Sequence, residues 1–508
     1  MIICGLRQLR WVALWAFALS WWPLPAVATE FSEIPRPAKN DQTAASLRSY
    51  QAALLAPYGG DYRKMPLANK AAHFEWEIQN YFTSPWQQVH YKITLRDKVG
   101  RPPKMGLGAD TSTWNGALLA ALSYKYAVTK DRQTLQHISS LLRGLHFFQQ
   151  VTEYPGLVAR SVLQSDEPIH KNQYKYTDDD GTVYHFRSDP AKGTYNQLVG
   201  GYATLMLLVY QDLPAADQKL VLDDLTAAVV HLLEHDYRLT DKDGKPTPYG
   251  DMTPVIGPQG VPFNAQVAYM IVATGMHFVP QDHPRRQKIE RAFERLRSKH
   301  HVYYSAPLKS FILPQKIGGS VLVKGMNDRN HVTNAAYVSL MLDLHQSSRD
   351  QTEMDGTFLY RMGRTMFHSL RRIESEHNSL CNFMWCGLLS HPVVFQKVIQ
   401  PKEQQRTGAQ LNYLLYTGIE QLRRFRLERF STPGEVETVD YPVWVDESKP
   451  NSGYAWKNNP HSAWRSNGPA INQATCSIDY LYAYWLMRYY RLDELLQARQ
   501  WHGEVLKK

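Results

Sequence analysis

The sequence predicts an all-α fold: an (α/α)6 toroid of alternating inner and outer helices, with long loops and short β-hairpins at one end. Two observations carry the prediction. Helical periodicity runs through most of the 508 residues. The helical segments also alternate between two kinds, one apolar on nearly every side and one apolar along a single stripe. A helix apolar all round belongs in an interior, and a striped helix covers it. Six such pairs, joined as up-down hairpins, close a ring in which both faces of each inner helix are buried.

The elements follow in order. Residues 1–28 read as a secretory leader: Arg7 and Arg10 open it, Trp11 to Trp22 form a short apolar run, and Ala26-Val27-Ala28 fits a cleavage site. The run is too short to span a bilayer, which takes about 20 apolar residues. Residues 29–67 read as an extended segment and 68–508 as one toroid domain. A first helix is expected over 68–81. Then come an apolar helix at 114–128 and a striped one at 134–149, with Leu135, Ile138, Leu141, Leu142 and Leu145 on one line. The alternation continues at 195–210 and 216–235, 263–275 and 285–300, 332–344 and 358–373, and 378–389 and 408–424, and closes at 471–490. Between helices, KYTDDDGTVYHF (175–186) and RLTDKDGKPTPYGD (238–251) read as hairpins with Asp-Gly turns. Their aspartates lack the spacing of a calcium loop.

Composition narrows the partners. The formal charge of +10, lowered by two when Arg7 and Arg10 leave with the leader, favours anionic ligands. No run of five or more Lys/Arg and no nucleic-acid module is present, so nucleic acid is not expected. No stable membrane span is expected after leader cleavage, and the oligomeric state stays open. Cys381, Cys386 and Cys476 remain after Cys4 is lost. They read as buried free thiols, with a Cys476 pairing left open, and their spacing fits no zinc site. No metal or cofactor is expected.

The inner helices begin near Asn or Gln: Asn115, Asn196 with Gln197, Asn264 with Gln266, Asn334, Asn378, and Asn472 with Gln473. In a toroid these starts open on one end, and their amides and free N–H groups would ring a funnel. In GADTSTWNGALLAAL (108–122), one of Asp110, Thr111 and Ser112 caps the helix, while the others line the funnel mouth with Trp114 and Asn115. Carboxylates precede the same starts: Asp110, Asp189, Asp251, Asp328, and Glu374 with Glu376. Two carboxyl groups across a glycosidic bond, one protonated and one ionised, carry out acid/base hydrolysis. Asp110 with Asp328 is the first pair expected, and Asp251 and Glu376 are further candidates. NDRNH (327–331) admits elimination instead, with His331 or Tyr249 as base and Asn327 and Arg329 neutralising a uronic acid. Trp444, Trp456 and Trp464 in the loop before the last helix offer flat faces for pyranose rings, and His377 and Asn378, following Glu376, are further substrate-binding candidates.

The helix order, the Asp-Thr-Ser-Thr-Trp stretch and DGKPTPYGD together resemble secreted bacterial α/α-toroid proteins of the carbohydrate-active kind, the glycoside hydrolase and polysaccharide lyase type. The resemblance covers roughly residues 68–490 and is architectural, so no catalytic residue is carried over from it. It implies a funnel and a glycan ligand, oligo- or polysaccharide. The leading expectation is an exported enzyme, periplasmic or secreted, cleaving glycosidic bonds with a carboxylate pair. The alternatives are a polysaccharide lyase acting on uronic acid polymers, and a non-catalytic glycan-binding envelope protein.

Overall fold

The computed structural model describes residues 34–170, 172–254, 262–298, 316–317, 320–321, 327–350, 356–449 and 455–498. The expected leader at 1–28 lies outside them. The protein is mostly helical, with a few short strands. Its main helices, in chain order, are α1 (Ala44–Leu55), α2 (Leu67–Glu77), α3 (Thr111–Thr129), α4 (Arg132–Gln150), α5 (Lys192–Leu208), α6 (Ala215–Glu234), α7 (Pro262–Phe278) and α8 (Arg286–Ser298). They continue as α9 (Asn327–Asp350), α10 (Gly356–Ile373), α11 (Ser379–Leu389), α12 (Pro392–Val398), α13 (Gln404–Arg423), α14 (Ile478–Tyr489) and α15 (Leu492–Ala498).

The six apolar segments are α3, α5, α7, α9, α11 and α14. Each packs on the next in chain order, and α14 packs on α3. The striped helices cover them: α4 on α3, α6 on α5 and α7, α8 on α7, α10 on α9, α13 on α11, and α2 on α14. Helix α9 also reaches across to α5. The interior is packed with side chains, not hollow: the Tyr124 and Tyr337 hydroxyls meet at 2.9 Å, and Tyr337 meets Tyr490 at 2.8 Å. The closest approach is between α3 and α5. A Cβ on Gly116 would stand 2.6 Å from the Gln197 carbonyl oxygen, and one on Gly201 would meet the Gly116 carbonyl. Only glycine lets the two backbones come so near.

Two segments differ from expectation. The stretch 29–67 is not simply extended, since it contains α1, capped by Thr43, which accepts a bond from the Ser46 N–H. Leu47, Tyr50 and Leu54 line its buried face. Residues 471–477 are not helical: Gln473–Thr475 form a strand paired with Lys92–Thr94, which also pairs with Lys104–Met105. Backbone pairing there satisfies groups that a longer helix would have satisfied internally.

Both Asp-Gly hairpins form. Gln173–Thr177 pairs with Val183–Arg187 around Gly181 at φ +85°, and Ser161–Gln164 adds a third strand. Arg238–Thr240 pairs with Pro246–Asp251 around Gly244 at φ +76°. Gly434–Thr438 and Ser462–Ser466 form another antiparallel pair. Cys381, Cys386 and Cys476 are buried and form no disulfide among the described residues. No helix among the described residues is long and apolar enough to cross a membrane.

Candidate functional site

The site begins at the polar row ahead of α3. Asp110 occupies the N-cap position, but its side chain makes no capping bond. It accepts instead from Arg160 Nη2 at 2.9 Å and pairs with Lys457 Nζ at 3.6 Å. Ser112 turns outward from its own helix, donating through both N–H and Oγ to the Arg160 carbonyl, at 3.0 and 3.2 Å. Thr113 meets Thr194 of α5 at 3.3 Å. The row therefore ties α3 to its neighbours, and no side chain in it caps the helix.

Arg160 is delivered by the three-stranded sheet, where its N–H donates to the Arg187 carbonyl at 2.8 Å. Its guanidinium then bridges Asp110 and Asp189, and Arg187 also holds Asp189, at 2.9 Å. Burial pushes the Asp110 carboxyl up, but Lys457 and Arg160 outweigh it and hold its pKa below the ordinary value. Asp110 is thus an ionised carboxylate.

Lys457 arrives on a short turn, Ala455–Lys457, pinned from several helix starts at once. The Ala455 N–H donates to Asp479 Oδ2 at 3.0 Å, and Trp456 Nε1 donates to the Asp479 carbonyl at 2.9 Å. The Trp456 carbonyl accepts from Asn330 Nδ2 at 2.6 Å and from Asn378 Nδ2 at 3.2 Å. Asp479 is itself fixed by buried Arg429, through two bonds of 2.5 and 3.0 Å. This scaffold sets the Lys457 ammonium 4.8 Å from the centre of the Trp114 ring, a cation–π contact. Tyr91 packs against the same indole at 5.1 Å.

His331, in the second turn of α9, is only 8% exposed. Its ring lies against Gly193 so closely that a Cβ there would be 2.6 Å from Nε2 and Cε1. Burial, then Lys457 and Lys192, push its pKa down to about 3, against an opposing pull from Asp110. His331 is therefore neutral across the physiological range. Lys192 donates to Asn264 Oδ1 at 3.1 Å. Asp251 stands further out, more than half exposed and 3.8 Å from Arg238. Burial raises its carboxyl, and the Thr253 hydroxyl and N–H, Arg238 and Lys192 together hold it lower than usual. Tyr249, two residues before it, is 68% exposed.

Several expected residues do other work. Asn115 does not face a funnel: it clamps Val89, accepting its N–H at 2.9 Å and donating to its carbonyl at 2.8 Å. Asn196 donates to the His331 carbonyl at 2.7 Å and accepts from Asn334 at 2.6 Å. Asn378 does cap its helix, accepting the Cys381 N–H, while its amide holds Trp456. Buried amides are spent on backbone groups because an unpaired buried peptide group is costly. Trp444 is no open platform: His377 lies flat on it at 3.9 Å, and the Arg424 guanidinium sits 4.6 Å from its ring centre. Trp464 is backed by Gly434, bonded to the Thr432 hydroxyl at 2.9 Å and covered by Lys449 at 4.6 Å. Glu376 is buried beside His377 and Asn378 at a cavity of about 30 Å³, room for a water and not for a sugar.

Asp110, Trp114, His331 and Asn264 thus fall into one cluster, with Asp251 at its edge. Glu376, His377 and Trp444 form a second, packed group, and Trp464 packs on its own strand pair. The side chains of Asn327, Asp328 and Arg329 lie outside the described residues, so the Asp110–Asp328 pair has no geometry here. Sequence reasoning missed Arg160, Arg187, Lys192 and Lys457, which supply most of the cluster's charge. Periodicity carries no signal for which distant carboxylate a cation will meet, and of this turn only Trp456 stands out in the sequence, as an aromatic face. Among the described residues no group of three or more His, Cys, Asp or Glu is placed to hold a metal ion. No protein-family model matches the chain, and no curated protein is significantly similar to it.

Proposed function

We propose that the protein is an exported (α/α)6 toroid acting on an acidic glycan by β-elimination, at the cluster where α3, α5 and α9 begin. The cyclic packing of the six apolar helices supports the toroid. The reaction rests on one observation: the buried His331 ring packs on Gly193 at the start of α5, in one cluster with Lys457, Lys192 and Asp110. Lyase chemistry needs a neutral base and cations that stabilise the enolate of a uronic acid. His331 takes the proton α to the carboxylate. The C–O bond at the β carbon breaks, its electron pair stays on the leaving oxygen, which takes up a proton, and a C=C bond remains. Hydrolysis needs a protonated carboxylic acid beside an ionised one, and among the described candidates Asp110 and Asp251 are both shifted toward the ionised form.

The test is a panel of uronic acid polymers followed by ultraviolet absorbance of the new C=C bond. The wild type should generate it, and His331→Ala should lose it by at least about a hundredfold, the usual contribution of a general base. Release of reducing ends without that absorbance would return the protein to the hydrolases. The deep burial of His331 favours one other reading, a glycan-binding protein without turnover, for which the panel would show binding and no product.

A further inference from the structure

The pinned turn has a chemical purpose that packing alone does not require. Its four anchoring bonds reach Asp479, Asn330 and Asn378, and none of them involves Lys457. The turn would hold with any residue at 457. What stands there is an ammonium group largely withdrawn from water. Burial lowers its pKa below that of an ordinary lysine, while Asp110 pulls the other way. Its contact with Asp110 is long, 3.6 Å, where the Arg160 contact to the same carboxylate is 2.9 Å. Asp110 therefore keeps a short, well-formed partner whether or not Lys457 stays. Lys457 is the looser of the two cations and rests on an aromatic face.

We propose that Lys457 is the residue that reads the acid group of the substrate, with Trp114 and Asp110 as its resting berth. The idea builds on the acidic-glycan reading above and assigns the specificity of that site. A sugar carboxylate offers the ammonium a partner unshared with Arg160, and a short charge-assisted bond is stronger than a long one. As Lys457 turns toward the carboxylate, it uncovers part of the indole on which it lay, a flat apolar surface beside the bound ring. The turn stays fixed throughout, because only the lysine side chain moves.

The experiment uses the full mature protein and a protein–ligand double comparison. Calorimetry measures binding of short oligosaccharides of galacturonate, mannuronate, guluronate and glucuronate-containing repeats, and then of the carboxyl-reduced form of whichever binds. The wild type should prefer the acid form by about tenfold or more, the worth of one hydrogen bond to a charged group. Lys457→Met, which keeps an aliphatic stem over Trp114, should bind the two forms alike, and Lys457→Arg should restore the preference. A merely structural lysine would weaken both forms equally in the Met variant. Discrimination by Lys457→Met equal to wild type would overturn the assignment while leaving the acidic-glycan reading intact. If the wild type binds no acidic oligosaccharide, that reading falls and this one falls with it.

Discussion

Single residues in this protein are used for connection more than for display. Asn115 is the plainest case, because its one amide satisfies both polar groups of Val89 and also donates to the Thr111 carbonyl at 2.7 Å. Asn115→Ala would leave the Val89 N–H and carbonyl buried without partners, at about 1–3 kcal/mol each. The expected loss is about 2–6 kcal/mol, read as a shift in urea midpoint with an unchanged slope. Gly193 is a second case. A methyl group there collides with the His331 ring, so Gly193→Ala should rotate the imidazole and reduce turnover at least about tenfold, measured as the initial rate of C=C absorbance. In the sequence, an asparagine near a helix start looks the same whether it caps, stitches or lines a pocket, since all three use the same short amide. That is why Asn115, Asn196 and Asn378 were all placed at a funnel, although Asn115 and Asn196 bind backbone groups and Asn378 caps its helix.

At the scale of elements, the legible part was whatever repeats. The apolar and striped helices could be read because periods of 3.6 survive in any tertiary setting. The last helix was started seven residues early because Gln473–Thr475 pairs with a strand about 380 positions away, and no local signal announces that. Charged loop residues were lost for the same reason: Arg160 and Lys457 are nearly 300 positions apart and meet on one carboxylate. Contacts between elements give two further tests. Gly116→Ala would drive a methyl group into the backbone of α5. Overpacking of this kind costs about 1–3 kcal/mol and sometimes more, and thermal unfolding should show it as a lowered Tm. Trp456→Ala removes the Nε1 bond to the Asp479 carbonyl and empties the space between the helix starts. It should lower stability by about 3–5 kcal/mol, as for other buried indoles, and should also abolish activity, because Lys457 loses its support.

Over the whole molecule, buried ionisable groups set the response to pH. Burial lowers His73 and His231 to about 3, and His90 to about 4; for His331, Lys457 and Lys192 add to burial in lowering it to about 3. These imidazoles are neutral in the fold and take protons in the unfolded chain below pH 6.5. Stability is fully present above 6.5 and is lost as pH falls toward 3, by about 1.4 kcal/mol per pH unit for each proton. Glu77 acts in the opposite direction. Burial raises it to about 8, so it keeps its proton in the fold and lowers the slope by one between pH 4.5 and 8. Urea titrations should show a maximum near pH 6.5, a shallow decline above it from Glu77, and a steep fall from pH 6.5 to 4.5. A flat profile there would mean that these histidines are protonated in the native state. The cyclic order of helices has a last consequence, in time. Helix α3 is made more than 300 residues before two of its neighbours, α14 and the turn bearing Lys457. A nascent chain that has reached residue 450 would hold most of these helices and still have an open seam along α3, so this side of α3 is closed only once residues 455–489 have been made.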